Sequence, residues 1–178
     1  AEILGKSAAR LKTITCHLGN GASLCAVDGG RSVDTSMGLT PLEGLCMGTR
    51  CGSIDPSILT ILMSYESLTP SQLDNLLNRY SGLLGISGIS NDMKDILTEM
   101  KKGGYRSKLA FDVFTYIVKK YIASYAAALG GVDAIVFTAG IGENSPDVRR
   151  ASLEGLEFMG VILDRKKNRN TIGREGII

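Results

Sequence analysis

Three short stretches carry residues able to grip an anion. The first is His17-Leu18-Gly19-Asn20-Gly21, set between two runs rich in β-branched and apolar residues, Thr13 to Leu18 and Ala22 to Val27. Glycines there let the backbone take φ > 0 or let another group come close. Consecutive N–H dipoles facing one way then make a concave anion site with no bulky side chain over it. The same residues also read as a plain hairpin turn, which Asn-Gly favours. The second stretch centres on Arg50, between Gly48-Thr49 and Cys51-Gly52. Its planar fork with little bulk beside it suits a bidentate grip on phosphate or carboxylate. The alternative is an arginine spent on loop carbonyls. The third is Gly140-Ile141-Gly142-Glu143-Asn144, which follows the apolar run Ala134 to Thr138. A strand, a glycine turn and a helix N-terminus together suit a nucleotide phosphate. The stretch is no dinucleotide fingerprint, because the third glycine position holds Ser145.

The elements that must position these groups follow from periodicity. The two runs around Gly19 to Gly21 predict a hairpin, and Asp28-Gly29-Gly30 a second turn into a third strand over Arg31 to Thr35. Residues 36 to 56 have no clean period and are punctuated by Gly38, Gly44, Gly48, Gly52 and two prolines. Irregular chain of that length in a compact domain is usually functional. Asp55-Pro56 reads as a cap before a helix from Ser57 to Tyr65, and Thr69-Pro70 begins another to about Tyr80. SGLLGISGISND, residues 81 to 92, reads as a glycine-rich turn. A helix from about Asp92 to Lys102 follows, capped by Asn91 or Ser90, and its N-terminus is a further candidate for phosphate or ribose. Ser107 to Leu129 carries the 3,4 spacing of an apolar face and predicts the longest helix. AIVFT, residues 134 to 138, predicts a short, fully buried strand, followed after the glycine turn by a helix from about Pro146 to Met159. Residues 1 to 10 read as the tail of a helix, and the basic run Arg165 to Lys167 with Arg169 as a solvated loop.

Composition narrows the classes. The 178 residues suffice for one domain with a real core. Twenty basic against eighteen acidic residues, spread along the chain, give no electrostatic footprint for nucleic acid. No apolar run is long enough to span a bilayer, and AEILGKSAAR lacks the regions of a signal peptide, so a cytoplasmic protein without membrane partners is expected. Cys16, Cys25, Cys46 and Cys51 form no CxxC pair and read as reduced, mostly buried thiols. Gly5-Lys6-Ser7 imitates the end of a P-loop but lacks the earlier glycine and the preceding strand.

HLGNGAS (17 to 23), DTSMGLTPLEGLCMGTRCGSIDP (34 to 56), SGLLGISGISND (81 to 92) and FTAGIGENS (137 to 145), in this order, closely resemble acetate kinase. The match covers essentially the whole chain. The resemblance implies an α/β fold of the actin-like ATPase (ribonuclease H-like) kind, with a mixed β-sheet and flanking helices. It implies that residues 1 to 178 form a single domain, the second and nucleotide-binding one of two, with the first domain and a last strand and helix outside this stretch. ATP or ADP would be contacted by His17, Leu18, Gly19, Asn20 and Gly21 around the phosphates, and by Asp92, Met93 and Lys94. Gly140, Ile141, Gly142, Glu143 and Asn144 would surround the adenosine. Arg50 falls on the arginine that stabilises the transition state of phosphoryl transfer to acetate, giving acetyl phosphate. The family usually has arginine where this chain has Lys94, which keeps the charge but loses the planar fork. The family's Mg2+ ligands, its substrate-binding arginine, catalytic aspartate and second transition-state histidine fall outside these residues, so no metal ligand is expected here. A homodimer is implied, with propionate or butyrate kinase, or an inactive nucleotide-binding or dimerising module, as the other readings.

Overall fold

A computed structural model describes residues 1–178. In chain order the elements are β1 (Lys12–Leu18), β2 (Ala22–Asp28), β3 (Arg31–Thr35), α1 (Ser57–Tyr65), α2 (Pro70–Arg79), α3 (Gly82–Ser87) and α4 (Met93–Lys101). Then come α5 (Tyr105–Leu129), β4 (Ala134–Thr138), α6 (Ala139–Asn144), α7 (Pro146–Leu153) and α8 (Arg165–Asn170). The chain divides into two compact units: Ala1–Ser36 with Thr115–Ile178, and Met37–Phe114.

The first unit is built on a four-stranded mixed sheet of order β3-β2-β1-β4. Alternation in the sequence makes the β1–β2 hairpin: Ile14, Cys16 and Leu18 are buried, while His17 between the last two is exposed. Lys12↔Asp28 to Leu18↔Ala22 sets the antiparallel register, so Ala22, Leu24 and Ala26 bury their side chains too. Each fully buried leucine or isoleucine stabilises the fold by about 1.5–3 kcal/mol. A one-residue slip would turn that set outward. β4 joins β1 in parallel, pairing Thr13 with Ala134 and His17 with Thr138. Contrary to the expectation of a fully buried strand, β4 is only half-buried and Val136 is 40% exposed. The cause is its place at the edge, with one strand neighbour rather than two.

Three further expectations are corrected. Residues 1 to 10 form two short 3-10 turns, Glu2–Leu4 and Ala8–Arg10, because Gly5 takes a left-handed φ of 58° and breaks the run. The basic run is helical rather than a loop: Asp164 Oδ1 accepts from the amides of Lys166 (2.9 Å) and Lys167 (3.0 Å) and so starts α8. The helix predicted to reach Met159 stops at Leu153, and a 3-10 turn, Glu157–Met159, follows.

In the second unit, α1 matches its predicted span, with Asp55 Oδ1 accepting from the Ser57 amide at 2.9 Å. α2 begins with a reciprocal capping box between Thr69 and Gln72. The glycine-rich stretch expected as a turn contains α3. Its Leu83 and Leu84 amides donate to the carbonyls of Met47 (2.8 Å) and Gly48 (2.9 Å), so loop backbone caps this helix where a side chain usually would. α4 is capped by Asp92 itself, whose Oδ1 accepts from the Lys94 amide at 2.8 Å, not by Asn91 or Ser90.

Candidate functional site

Because β1 and β4 run parallel, their carboxyl ends lie side by side, and the turns His17–Gly21 and Gly140–Asn144 both lie there. In open α/β sheets this is where ligands bind. At that edge His17 Nδ1 and Thr138 Oγ1 are 3.1 Å apart, tying the two strand ends together. The Gly19 amide donates to the Gly21 carbonyl at 3.1 Å, which folds the turn tightly. A Cβ at Gly19 would lie a tight 3.3 Å from the Gly21 oxygen of its own turn and in ordinary contact, 3.6 Å, with Ala139 Cβ, so the two turns are in contact. Leu18 is fully buried beneath them, and Asn20 is exposed at the tip.

The second turn is a six-residue helix. Its one left-handed residue is Ala139 (φ 64°), while Gly140 and Gly142 both stay out of that region. A Cβ at Gly142 would sit 3.4 Å from the Phe137 carbonyl carbon and 3.6 Å from the Cys16 oxygen, ordinary contact distances, so the loop packs directly on the β1–β4 end without requiring glycine there. Glu143 Oε1 accepts from the Ala139 amide at 3.0 Å, so this carboxylate already occupies the start of α6. Asn144 Nδ2 donates to the Gly140 carbonyl at 2.9 Å, closing the loop from its other end. Gly140 has open space around its Cα, and Ile141 is half-buried.

The remaining candidates, Arg50 and Asp92 to Lys94, belong to the second unit. The turn Met47 to Arg50 is closed by the Met47 amide donating to the Arg50 carbonyl at 3.1 Å. It is held from below by Thr49 Oγ1 donating to the Asn78 carbonyl (2.9 Å) and the Cys51 amide donating to the Leu77 carbonyl (3.0 Å). The Arg50 side chain makes only long contacts, Nη1 to the Pro41 carbonyl at 3.4 Å and to Met47 Sδ at 3.7 Å. Arg106 differs, donating to the Ile86 and Gly85 carbonyls at 2.8 Å each. Arg50 therefore keeps donor capacity for a ligand. Asp92 is exposed with its Oδ1 engaged as a cap, Met93 is buried, and Lys94 is exposed.

Burial raises the thiol of Cys16 far above its ordinary value and pushes Cys46 up to about 12, with the neighbouring Cys51 adding to the latter. Neither is a ready nucleophile. No three His, Cys, Asp or Glu side chains gather in a group that could hold a metal ion.

Arg149 was missed by sequence reasoning. It is 2% exposed, and its guanidinium reaches the Gly142 and Glu143 carbonyls. A signal was available: Arg149, Ser152 and Leu153 share one helical face at spacings of three and four, and all are buried.

A mixed sheet with flanking helices and two glycine turns at the end of its parallel pair defines an actin-like ATPase fold. The chain belongs to the acetokinase family, whose model matches residues 1–178. It is 62% identical to the acetate kinase of Caldanaerobacter subterraneus subsp. tengcongensis over 100% of this chain and 44% of that protein. The crystal structure of Porphyromonas gingivalis acetate kinase superposes with a TM-score of 0.97 at 46% identity, covering 99% of this chain and 44% of that one. A propionate kinase structure from Francisella tularensis gives a TM-score of 0.89 at 45% identity, over 96% and 44%. The chain thus spans about 44% of the length of the curated acetate kinase it matches.

Proposed function

We propose that this chain is the nucleotide-binding part of an acetate kinase, both compact units together forming its second domain. The observation that carries the reading is the meeting of His17–Gly21 and Gly140–Asn144 at one end of the β1–β4 pair, in a chain matched throughout by the acetokinase family. The lack of side chains at Gly19, Gly21, Gly140 and Gly142 fits backbone amides that must face a polyanion without Cβ atoms in the way.

In the forward direction an acetate carboxylate oxygen forms a bond to the γ-phosphorus of ATP while the bond to the bridging oxygen of ADP breaks. Acetyl phosphate and ADP leave, and the reverse reaction retraces the path. His17 to Gly21 would hold the phosphates, Gly140 to Asn144 the adenosine, and Asp92 to Lys94 would add contacts to the nucleotide. Arg50, with its donors uncommitted to strong protein bonds, would offset charge on the phosphoryl group in flight. Magnesium is expected to accompany the nucleotide. No residue of this chain is assigned a part in holding it. A homodimer in the cytoplasm completes the reading.

Two other readings have support. The likeness to a propionate kinase keeps a longer acyl chain open, and the share of the relatives' length covered favours a nucleotide-binding or dimerising module without turnover of its own. The test is acyl phosphate formation from ATP with acetate, propionate or butyrate, trapped as hydroxamate, beside calorimetric titration with ADP and magnesium. The kinase reading expects nucleotide binding, and acetate as best acceptor wherever turnover is seen. Saturable binding without turnover supports the module, and no binding by folded protein refutes both.

A further inference from the structure

The carbonyls at the end of α6 have no partner within the helix, and in so short a helix they make up much of its backbone. Arg149, one helix further on, supplies what is missing. Its Nη1 donates to the Gly142 and Glu143 carbonyls, both at 2.8 Å. Its Nε donates to Asn168 Oδ1 at 2.7 Å, and its Nη2 to the carbonyls of Asn168 (2.8 Å) and Thr171 (2.6 Å). A guanidinium has five N–H donors, and all five are used. Asn168, itself 2% exposed, is fixed in turn by donating from Nδ2 to the Pro146 carbonyl at 2.9 Å. Burial draws the Arg149 pKa below its ordinary value, so the charge is held at a desolvation cost that only good partners offset. The acceptors include no carboxylate. A cation at the carboxyl end of α6 also opposes the helix dipole there.

We propose that Arg149 is a positioning residue for the nucleotide loop, bracing Gly140–Asn144 against α8 so that the loop is formed before nucleotide arrives. The proposal rests on the reading of that loop as the adenosine-side contact. Ala139 is strained at φ 64°, and such a conformation persists only where its surroundings over-determine it. Glu143 at one end and Arg149 at the other do so. A lysine keeps the charge but has three donors, and from one point it cannot span both pairs of carbonyls.

The test compares Arg149→Lys, Asn168→Ala and, as a control of similar cost to stability, Leu24→Ala in β2, each measured in the protein for melting temperature, ADP dissociation constant and, where turnover is present, KM for ATP and for acetate. Arg149→Lys should weaken ADP binding tenfold or more and Asn168→Ala by a smaller factor. Acetate KM should stay within twofold, and Leu24→Ala should leave ADP binding unchanged at an equal loss of melting temperature. Loss of ADP affinity that merely tracks melting temperature across all three variants would overturn the proposal and leave Arg149 a stabilising residue only. An unchanged ADP constant in Arg149→Lys would overturn it as well, without touching the kinase reading. Wild-type protein that binds no nucleotide overturns both.

Discussion

Gly82 is the position where a single methyl group should reach Arg50. It opens α3 with φ +62°, a conformation that costs an L-residue about 1–2 kcal/mol. A Cβ there would lie 2.7 Å from the Arg50 carbonyl oxygen and 3.1 Å from its amide nitrogen, and closer still to the Met47 carbonyl. Restoring ordinary contact distances requires the Met47–Arg50 turn to retreat by roughly 0.5–1 Å. That movement also strains the bond from the Leu83 amide to the Met47 carbonyl, 2.8 Å long in the native protein. Strain and a weakened bond together predict a stability loss of about 2–4 kcal/mol for Gly82→Ala. If Arg50 has the transition-state role proposed above, misplacement by about 1 Å would cost on the order of 100-fold in rate. The assay is hydroxamate-trapped acetyl phosphate made by the whole kinase of which the proposal makes this chain a part, at a temperature where every variant is folded, for Gly82→Ala, Arg50→Ala and the double variant. If Gly82 acts through Arg50, the second substitution costs stability again but little further rate. Rates that multiply across the two changes, or a Gly82→Ala enzyme within twofold of wild type, would refute the reasoning.

Other outcomes follow from separate parts of the chain. Thr69→Ala removes the hydroxyl that accepts from the Gln72 amide at the start of α2, leaving the Thr69 amide to donate to Gln72 Oε1, and should destabilise the protein by about 1 kcal/mol, read as a shift in denaturant midpoint at constant slope. Asp133 accepts from the Lys12 amide at 3.0 Å and pairs with the Lys6 ammonium, and these hold its pKa below the ordinary 3.8. A depressed native pKa contributes stability in full above the unfolded value and loses it as pH falls through the native one. Melting temperature should therefore fall less steeply from about pH 5 to pH 2 in Asp133→Asn than in wild type, and parallel curves would exclude the pairing. Iodoacetamide at mildly alkaline pH should leave Cys16 and Cys46 unmodified until denaturant is added, as peptide mass mapping would show.

What the sequence made legible divides along physical lines. The β1–β2 hairpin and α1 were readable because one period dominates each and the turn or cap residues agree with it. α3 was hidden because Gly82 and Gly85 lower helix propensity, and its N-terminus is capped by the distant Met47 and Gly48 carbonyls rather than by a neighbour in sequence. β4 looked like an interior strand because apolar composition reports potential for burial, whereas its edge position is set by strand order. Glycines marked both turns at the carboxyl ends of β1 and β4, yet the left-handed residue in the second is Ala139. Arg149 was not legible because its five acceptors, on Gly142, Glu143, Asn168 and Thr171, are brought together only by the fold.

The parallel pairing of β1 with β4 also shapes how the chain must be made. His17 and Thr138 meet across the sheet although 121 residues separate them. A ribosome adding about 5–20 residues per second delivers β4 on the order of ten seconds after β1. During that interval β1 can pair with β2 on one side only, and its other side is a row of free amides and carbonyls with Ile14, Cys16 and Leu18 alongside. The continuous segment Met37–Phe114 is synthesised within the same interval, so its own contacts can form while the sheet waits. Slowing translation through that segment should therefore enlarge the share of nascent chain that engages holdase chaperones or aggregates, without changing the stability of the finished protein.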